Sequence, residues 1–561
     1  MRILSSANPR RLACWALLPL GLVGQGCING QDPRSVSEKP RAERTLEAHT
    51  RFLADDMLEG RDTGSRGYDI AAAYVAAQFA AVGLRPAGDA NSYFQHVPLR
   101  RRTLEPDGVS FALEMQGQRL VCSNGIDIAI DPSPYALSET LETDLVFVGW
   151  GISAPSLGLD DYAGLDVRGK AVVLLEGAPA SLPGALRAHF SWIQQKERMA
   201  AAQGAVAVLT LKTPDRERVS PWDRTRRYRP LPGLSWPQEA ASGVEPIRAT
   251  ITLGPRVARR LFASAGRDID EIYAHSAAAT PKGFALPATM QLKRRSLHEE
   301  VRSANVIGLL PGTHPVRRHD VIVVLSHLDH VGIGPTVDGD HIYNGAVDNA
   351  GGVAVMLEAA RQLAETGTDR SVLFVATTGE EKGLIGSEYL AANPVVDPRR
   401  IAAAISIDGL MAFNDFTGVV ALGADHSTLG AISAEAARSI GASHVPDPIP
   451  ERGNLALSDQ YPFLRRGVPV LFPNPARETT QPDRTALAAW DDYESFHYHR
   501  PSDDMKLPLR WHSAARWLRY ITSTIRGAAN AEGAIAWNDG DLIGRYFGRP
   551  DMRQSNKDSN K

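Results

Sequence analysis

Five short motifs hold the residue types that bind metals and move protons. They are His327 in VVLSHLDH, Asp348 in NGAVDNAGG, the pair Glu380 and Glu381 in FVATTGEEKG, Asp408 in ISIDG, and His499 in HYHRPSDD. Imidazole nitrogens and carboxylate oxygens are ligands for zinc and other first-row divalent ions. Two histidines and three carboxylates suffice for two metals if one carboxylate bridges. One glutamate is then left for proton transfer, which is the inventory of a two-metal hydrolase.

Most of these residues follow an apolar run. The segment VIVVLS stays apolar up to Ser326, so His327 is expected where a buried strand leaves its sheet. Open α/β sheets bind ligands just outside such strand ends. Asp329 is spaced to accept a hydrogen bond from the second ring nitrogen of His327 and so fix its tautomer. Glu380 and Glu381 close SVLFVATTG, and Asp408 closes AAAIS. Each residue also has a plainer reading. Asp348 before Asn-Ala-Gly-Gly suits a helix N-cap, although Asn349 could cap instead. A glutamate pair is most often a solvated turn, and Asp408 before Gly409 is a common turn dipeptide. Spacing alone does not choose between His497 and His499. The joint order of all five motifs, most at a strand end, is what favours chemistry over chance.

The elements around them divide the chain. Residues 46–136 contain IAAAYVAAQFAAVGL, apolar at helical spacing from Ile70 to Leu84, with Gly83 as its C-cap. Residues 137–286 hold short β-rich runs (LVFVGWGI, GKAVVLLEG, AVAVLTL) around one helical segment, WIQQKERMAAAQG. They read as a small β/α domain without a ligand cluster. Residues 297–530 carry every candidate ligand and alternate strands with helices (VIVVLS, GGVAVMLEAARQLAET, SVLFVATT). That alternation predicts an α/β sheet with helices on both faces. A polar tail, 531–561, closes the chain.

At the other end, Arg2, Arg10 and Arg11 precede an apolar run from Leu12 to Cys27, too short to span a bilayer. Residues 1–27 therefore read as an export signal. Gly24-Gln25-Gly26-Cys27 resembles a lipobox, in which Cys27 would carry a lipid that attaches the protein to a membrane; Gly24 stands where a leucine-like residue is usual. Residues 28–45 read as a polar linker. The expected location is periplasmic, envelope-bound or secreted. The three cysteines are Cys14, Cys27 and Cys122, and processing would leave Cys122 without a partner, as a small apolar core residue. A net charge of −3 makes no case for nucleic-acid binding.

HLDH, GAVDNAGG, TTGEEKGLIGSEYL, SIDG and HYHRPSDD together resemble the successive metal-site motifs of the M28 family of zinc metallopeptidases. Phe52 to Gly88 is similar to that family's N-terminal helix region. The middle segment resembles an inserted protease-associated domain. The resemblance implies a mixed central sheet, two zinc ions per chain and peptide substrates cleaved at the N-terminus. It implies that Asp348 bridges, that His327 and Asp408 complete one site, and that Glu381 and His499 complete the other. Glu380 would be the general base, with Asp329 and Asp503 as orienting residues. It favours His499, because the ligand precedes Arg-Pro-Ser-Asp. Two positions depart from the pattern: Gln460, where many relatives have histidine, and Gly351, where serine is common and little effect is expected. Related scaffolds also support a carboxypeptidase, which would need an arginine such as Arg452, Arg465 or Arg466 aimed at a substrate carboxylate. They also support a one-zinc glutaminyl cyclase and a non-catalytic binding protein.

Overall fold

Strands β7 (Val321–His327) and β8 (Ser371–Thr377) are buried along their whole length. Their side chains alternate between two cores. Ile322, Val324, Val372 and Phe374 join one, while Val323, Leu325, Leu373 and Val375 join the other. A strand covered on both faces must be apolar throughout, which is why the sequence shows a run instead of an alternation. The computed structural model describes residues 39–229, 232–236, 245–278, 281–450, 453–477, 479 and 484–549. Of the first of its two units, Met1–Pro40, only Lys39 and Pro40 are described. The expected export signal and Cys27 therefore lie outside the described residues.

The main sheet belongs to the second unit. In chain order, its other long strands are β1 (Phe94–Met115), β2 (Ser138–Phe147), β3 (Ala171–Leu175), β4 (Ala207–Leu211), β5 (Ala249–Leu253), β6 (Phe284–Leu310), β9 (Ile401–Ser406), β10 (Gly418–Leu422) and β11 (Val470–Pro475). The spatial order is β10-β11-β9-β7-β8-β6-β2-β3-β4-β5, and β1 lies against β6. Strands β11, β9, β7 and β8 run parallel, and β10 and β6 flank them antiparallel. The fold is thus α/β with a mixed central sheet, as expected.

Helices α1 (Arg41–Leu53), α2 (Arg66–Ala81), α5 (Gly351–Thr366) and α7 (Trp511–Asn530) contribute to one core. Helix α2 ends as its sequence predicts, with Gly83 at φ +81° just past the last turn. On the other side, α3 (Gly184–Ser191), α4 (Ile193–Ala202) and α6 (Ile385–Ala392) belong to the second core.

The region expected as a separate small domain is joined edge-on to the central sheet. Strand β6 pairs with β2 through residues 284–295 and with β8 through residues 306–310. One unbroken strand therefore runs through both parts. Phe111, Cys122 and Ile128 pack with Ile251 and Leu253, so the inserted core recruits residues from before position 137. Cys122 is buried there as a small core residue. Two terminal expectations need correction. Helix α1 begins at Arg41, inside the stretch read as linker, and residues to 549 are packed, with Ile543 buried and Phe547 against His189. No helix among the described residues is long and apolar enough to cross a membrane.

Ring contacts join the inserted region to the C-terminal part of the chain. His189 on α3 shares a 2.8 Å hydrogen bond between Nδ1 and the Tyr461 hydroxyl and meets Phe547 at 4.8 Å between centroids. Its Nε2 has no partner. Burial, with Arg465 and Arg198 nearby, pushes the ring down to about 3 from its ordinary 6.5. The folded state therefore holds a neutral ring where the unfolded chain takes up a proton. This contribution to stability is intact above pH 6.5 and is lost as pH falls from 6.5 towards 3. The slope is on the order of 1.4 kcal/mol per pH unit within that window. Urea unfolding at pH 7.5 and pH 5 should show a larger acid loss for wild type than for His189→Asn, by about 1–2 kcal/mol. Equal losses would contradict the neutral buried ring.

Candidate metal centre

The ligand candidates converge beyond the carboxyl ends of β7, β8 and β9. His327 closes β7, Glu380 and Glu381 sit on the turn after β8, and Asp408 follows β9. Asp348 lies in the irregular turn Ala346–Ala350 that leads into α5, and His499 follows Tyr493–His497. Two groups form. His327, Asp348 and Asp408 offer ligand atoms within 4.8 Å of one another, as do His330, Asp348 and Glu381. Asp348 belongs to both. His327 Nε2 is 3.1 Å from Asp348 Oδ1 and 3.1 Å from Asp408 Oδ1. His499 Nε2 is 3.1 Å from Asp348 Oδ2 and 3.2 Å from Glu381 Oε2. His497 turns away and bonds Ser502 Oγ at 2.8 Å.

Asp348 is not a helix cap, and neither is Asn349. The Asp348–Asn349 peptide is cis. Asn349 Nδ2 donates to Ser326 Oγ and the Ile407 carbonyl, and its Oδ1 accepts from Gly409 N at 2.9 Å. The side chain thus ties the ends of two strands to the turn that carries Asp348. Asp503 accepts from Val347 N at 2.8 Å, Asp348 N at 3.1 Å and the Tyr493 hydroxyl at 3.2 Å. Gly351 is more than a neutral replacement, because a Cβ there would come 2.4 Å from Leu410 Cβ in the loop after Asp408.

Asp329 acts differently from expectation. The second ring nitrogen of His327 bonds the backbone carbonyl of Asp329 at 3.0 Å, not its carboxylate. The carboxylate instead accepts from Glu380 N at 3.1 Å, Glu381 N at 3.3 Å and Thr63 Oγ1 at 3.1 Å. It clamps the turn that presents both glutamates. The Asp329 side chain thus serves that turn while its carbonyl serves the imidazole.

Three participants escaped the sequence reading. His330, fully buried, bonds Glu381 Oε1 at 2.8 Å and leaves Nε2 without a partner. Its only signal was the second histidine of HLDH. Arg61 is buried and donates to the carbonyls of Leu328, Asn344, Gly345 and Leu53. It thereby anchors both ligand-bearing segments under the site. Asp459 is buried, accepts from Thr377 Oγ1 and keeps its other oxygen unpartnered. Gln460, the departure next to it, is buried and donates to the Leu455 carbonyl at 2.8 Å.

The electrostatics fit cation binding. Burial alone would lower His327, yet Asp408, Glu380 and Asp348 raise it well above 6.5. Burial lifts Glu380 well above the carboxylate range, and Asp408 and Glu381 add to the lift. A buried cluster so rich in carboxylates calls for positive charge. The donor set, imidazoles and carboxylates with one shared Asp, suits two borderline divalent ions.

Residues 305–525 match the Peptidase family M28 model. The chain is 38% identical over 109 residues to the alkaline phosphatase isozyme conversion protein of Escherichia coli, covering 18% of this chain and 30% of that protein. It is 34% identical over 102 residues to Aminopeptidase YwaD of Bacillus subtilis, covering 18% and 20% respectively. These matches span less than a third of either relative's length. Among solved structures, an aminopeptidase from Aneurinibacillus sp. strain AM-1 aligns at TM-score 0.49 and 20% identity, over 88% of this chain and 96% of its own. BSAP, a zinc aminopeptidase from Bacillus subtilis, aligns at 0.42 and 17%, over 89% and 97%. The segment bearing every candidate ligand, residues 305–525, is a member of Peptidase family M28.

Proposed function

We propose that the chain is an exported two-zinc metallopeptidase that removes N-terminal residues from peptides. The observation that carries this reading is the pair of ligand groups sharing Asp348, with Glu380 on the adjoining turn. In this reading Asp348 bridges, His327 and Asp408 complete one site, and Glu381 and His499 the other. His499 is preferred to His330 because it is 3.1 Å from Asp348, against 3.9 Å for His330. His330 then orients Glu381. Zinc is supported by relatives named zinc metalloprotease, and the aminopeptidase subtype by the Bacillus relative's name.

Bound there, two cations would polarise the scissile carbonyl and lower the pKa of a water. The rest falls to the chain's own groups. Glu380 takes the proton of the attacking water and returns it to the leaving amine. Asp329 holds the amides of Glu380 and Glu381, and Asp503 holds the amide of Asp348, so base and bridge are fixed from behind. The carboxypeptidase alternative is weaker. Arg465 and Arg466 both clamp Glu388, and Arg452 lies outside the described residues. The inserted region reads as a protease-associated domain that shapes access to the site.

Free and N-acetylated aminoacyl anilides test the subtype. Free-amine substrates should be cleaved about 10²-fold or more faster than acetylated ones. Equal cleavage of the two would refute an aminopeptidase.

A further inference from the structure

The segment Arg61-Asp62-Thr63 lies well before residues 305–525, yet it meets the site three times. The Arg61 guanidinium holds the carbonyls of Leu328, Asn344 and Gly345, and the Arg61 carbonyl accepts from His330 N at 3.3 Å. Asp62 Oδ1 stands 3.0 Å from Nζ of Lys382, the residue directly after Glu381. Thr63 Oγ1 donates to Asp329 Oδ2 at 3.1 Å.

The backbone is bent to make this reach. Glu59, Gly60 and Arg61 have φ of 50°, 68° and 54°. Two of the three carry a side chain that disfavours this left-handed region. Gly60 lets the segment press against the hairpin of Gly332–Val337 and Asp340–Tyr343. A Cβ there would stand 2.3 Å from the Tyr343 carbonyl oxygen and 2.8 Å from that of Gly332. Such local strain persists only where the surroundings over-determine it, and it gathers at working sites.

Asp62 and Thr63 then support one and the same turn. The Asp329 carboxylate accepts from Glu380 N, Glu381 N and Thr63 Oγ1. The two amides belong to the glutamate turn and move with it. Thr63 is anchored elsewhere, on the segment that Arg61 ties down, and it is buried. Lys382 extends the same turn to Asp62 through a partly shielded ion pair.

We propose that Thr63 and Asp62 are positioning residues for Glu380, acting through Asp329 and Lys382 to fix the turn from which it reaches the attacking water. The proposal rests on the reading of Glu380 as the general base. A base must stay within hydrogen-bond reach of its proton. Displacement of a reacting group by about 1 Å can cost about 10²-fold in rate. Among the described residues neither side chain bonds a candidate metal ligand, so zinc content should not depend on them.

The test uses the zinc-loaded full chain with leucine anilide. Thr63→Val keeps the side-chain shape and removes the hydroxyl. It should lower kcat about tenfold, with KM within about twofold and zinc at the wild-type level. Thr63→Ser should return kcat to within about threefold of wild type, and Asp62→Asn should lower it about threefold. The decisive readout is the double variant. Beside Glu380→Gln there is no base left to position, so adding either change should cost less than about twofold. A merely structural role would cost as much there as in wild type. Thr63→Val within about twofold of wild type, an undiminished loss beside Glu380→Gln, or lost zinc would each overturn the assignment. Should Thr63→Val fail to fold, the partly exposed Asp62→Asn decides by its own loss and by the absence of that loss beside Glu380→Gln. If Glu380→Gln itself stays within about tenfold of wild type, the general-base reading falls and this assignment falls with it. A large loss there upholds that reading whatever Thr63→Val does.

Discussion

Glu380→Gln is expected to lower kcat by about 10²–10⁴-fold while zinc content stays at the wild-type level. The two outcomes separate because Glu380 belongs to neither group of converging ligand atoms, whereas its neighbour Glu381 does. The amides of both residues are held by Asp329. Replacing one carboxyl oxygen by an amide nitrogen leaves those backbone bonds intact, so the turn keeps its shape. What disappears is the proton acceptor. The loss should appear in kcat more than in KM, because proton transfer is made only on the way to the transition state. Activity within about tenfold of wild type would show that another group is the base. Loss of zinc would instead make Glu380 a ligand.

Asp348→Ala should fail in the opposite way, losing both metal and activity. His327 and His499 each stand 3.1 Å from a different oxygen of this carboxylate. Alanine removes the link between the two groups and leaves both imidazoles in a buried site without their shared acid. The Asp503 bonds go to the backbone of Val347 and Asp348, so the turn itself should persist. Elemental analysis beside circular dichroism would check this. A folded variant with its full complement of zinc would refute the bridging role.

How easily each part reads from sequence depends on how local its determinants are. Strands β7 and β8 announce themselves as apolar runs because both faces are covered, and the polar residue that ends each run marks the ligand position. The segment around Asp348 has no period, and what holds it comes from afar: Asp503 is 155 residues away, and Arg61 bonds carbonyls 267 and 283 residues on. A lone arginine in LEGRDTG carries no local sign of that role. Asp329 shows a subtler limit. Its spacing from His327 correctly indicated a partner for the ring, but backbone direction decided that the carbonyl, not the carboxylate, would supply it. The edges of the inserted region are hard to read from sequence for another reason. Along β6 the pattern changes from alternating to continuously buried, Ser303 and Asn305 included, as the strand passes from a half-exposed ladder into the central sheet. That shift in burial looks like a domain boundary, yet the backbone hydrogen bonding continues through it.

The most direct measurement is anomalous diffraction at the zinc edge from crystals grown with zinc. Two peaks about 3.5–4 Å apart are expected, one on each side of the Asp348 carboxylate, with Glu380 bound to neither. A single peak, or a pair whose ligands exclude Asp348, would contradict it.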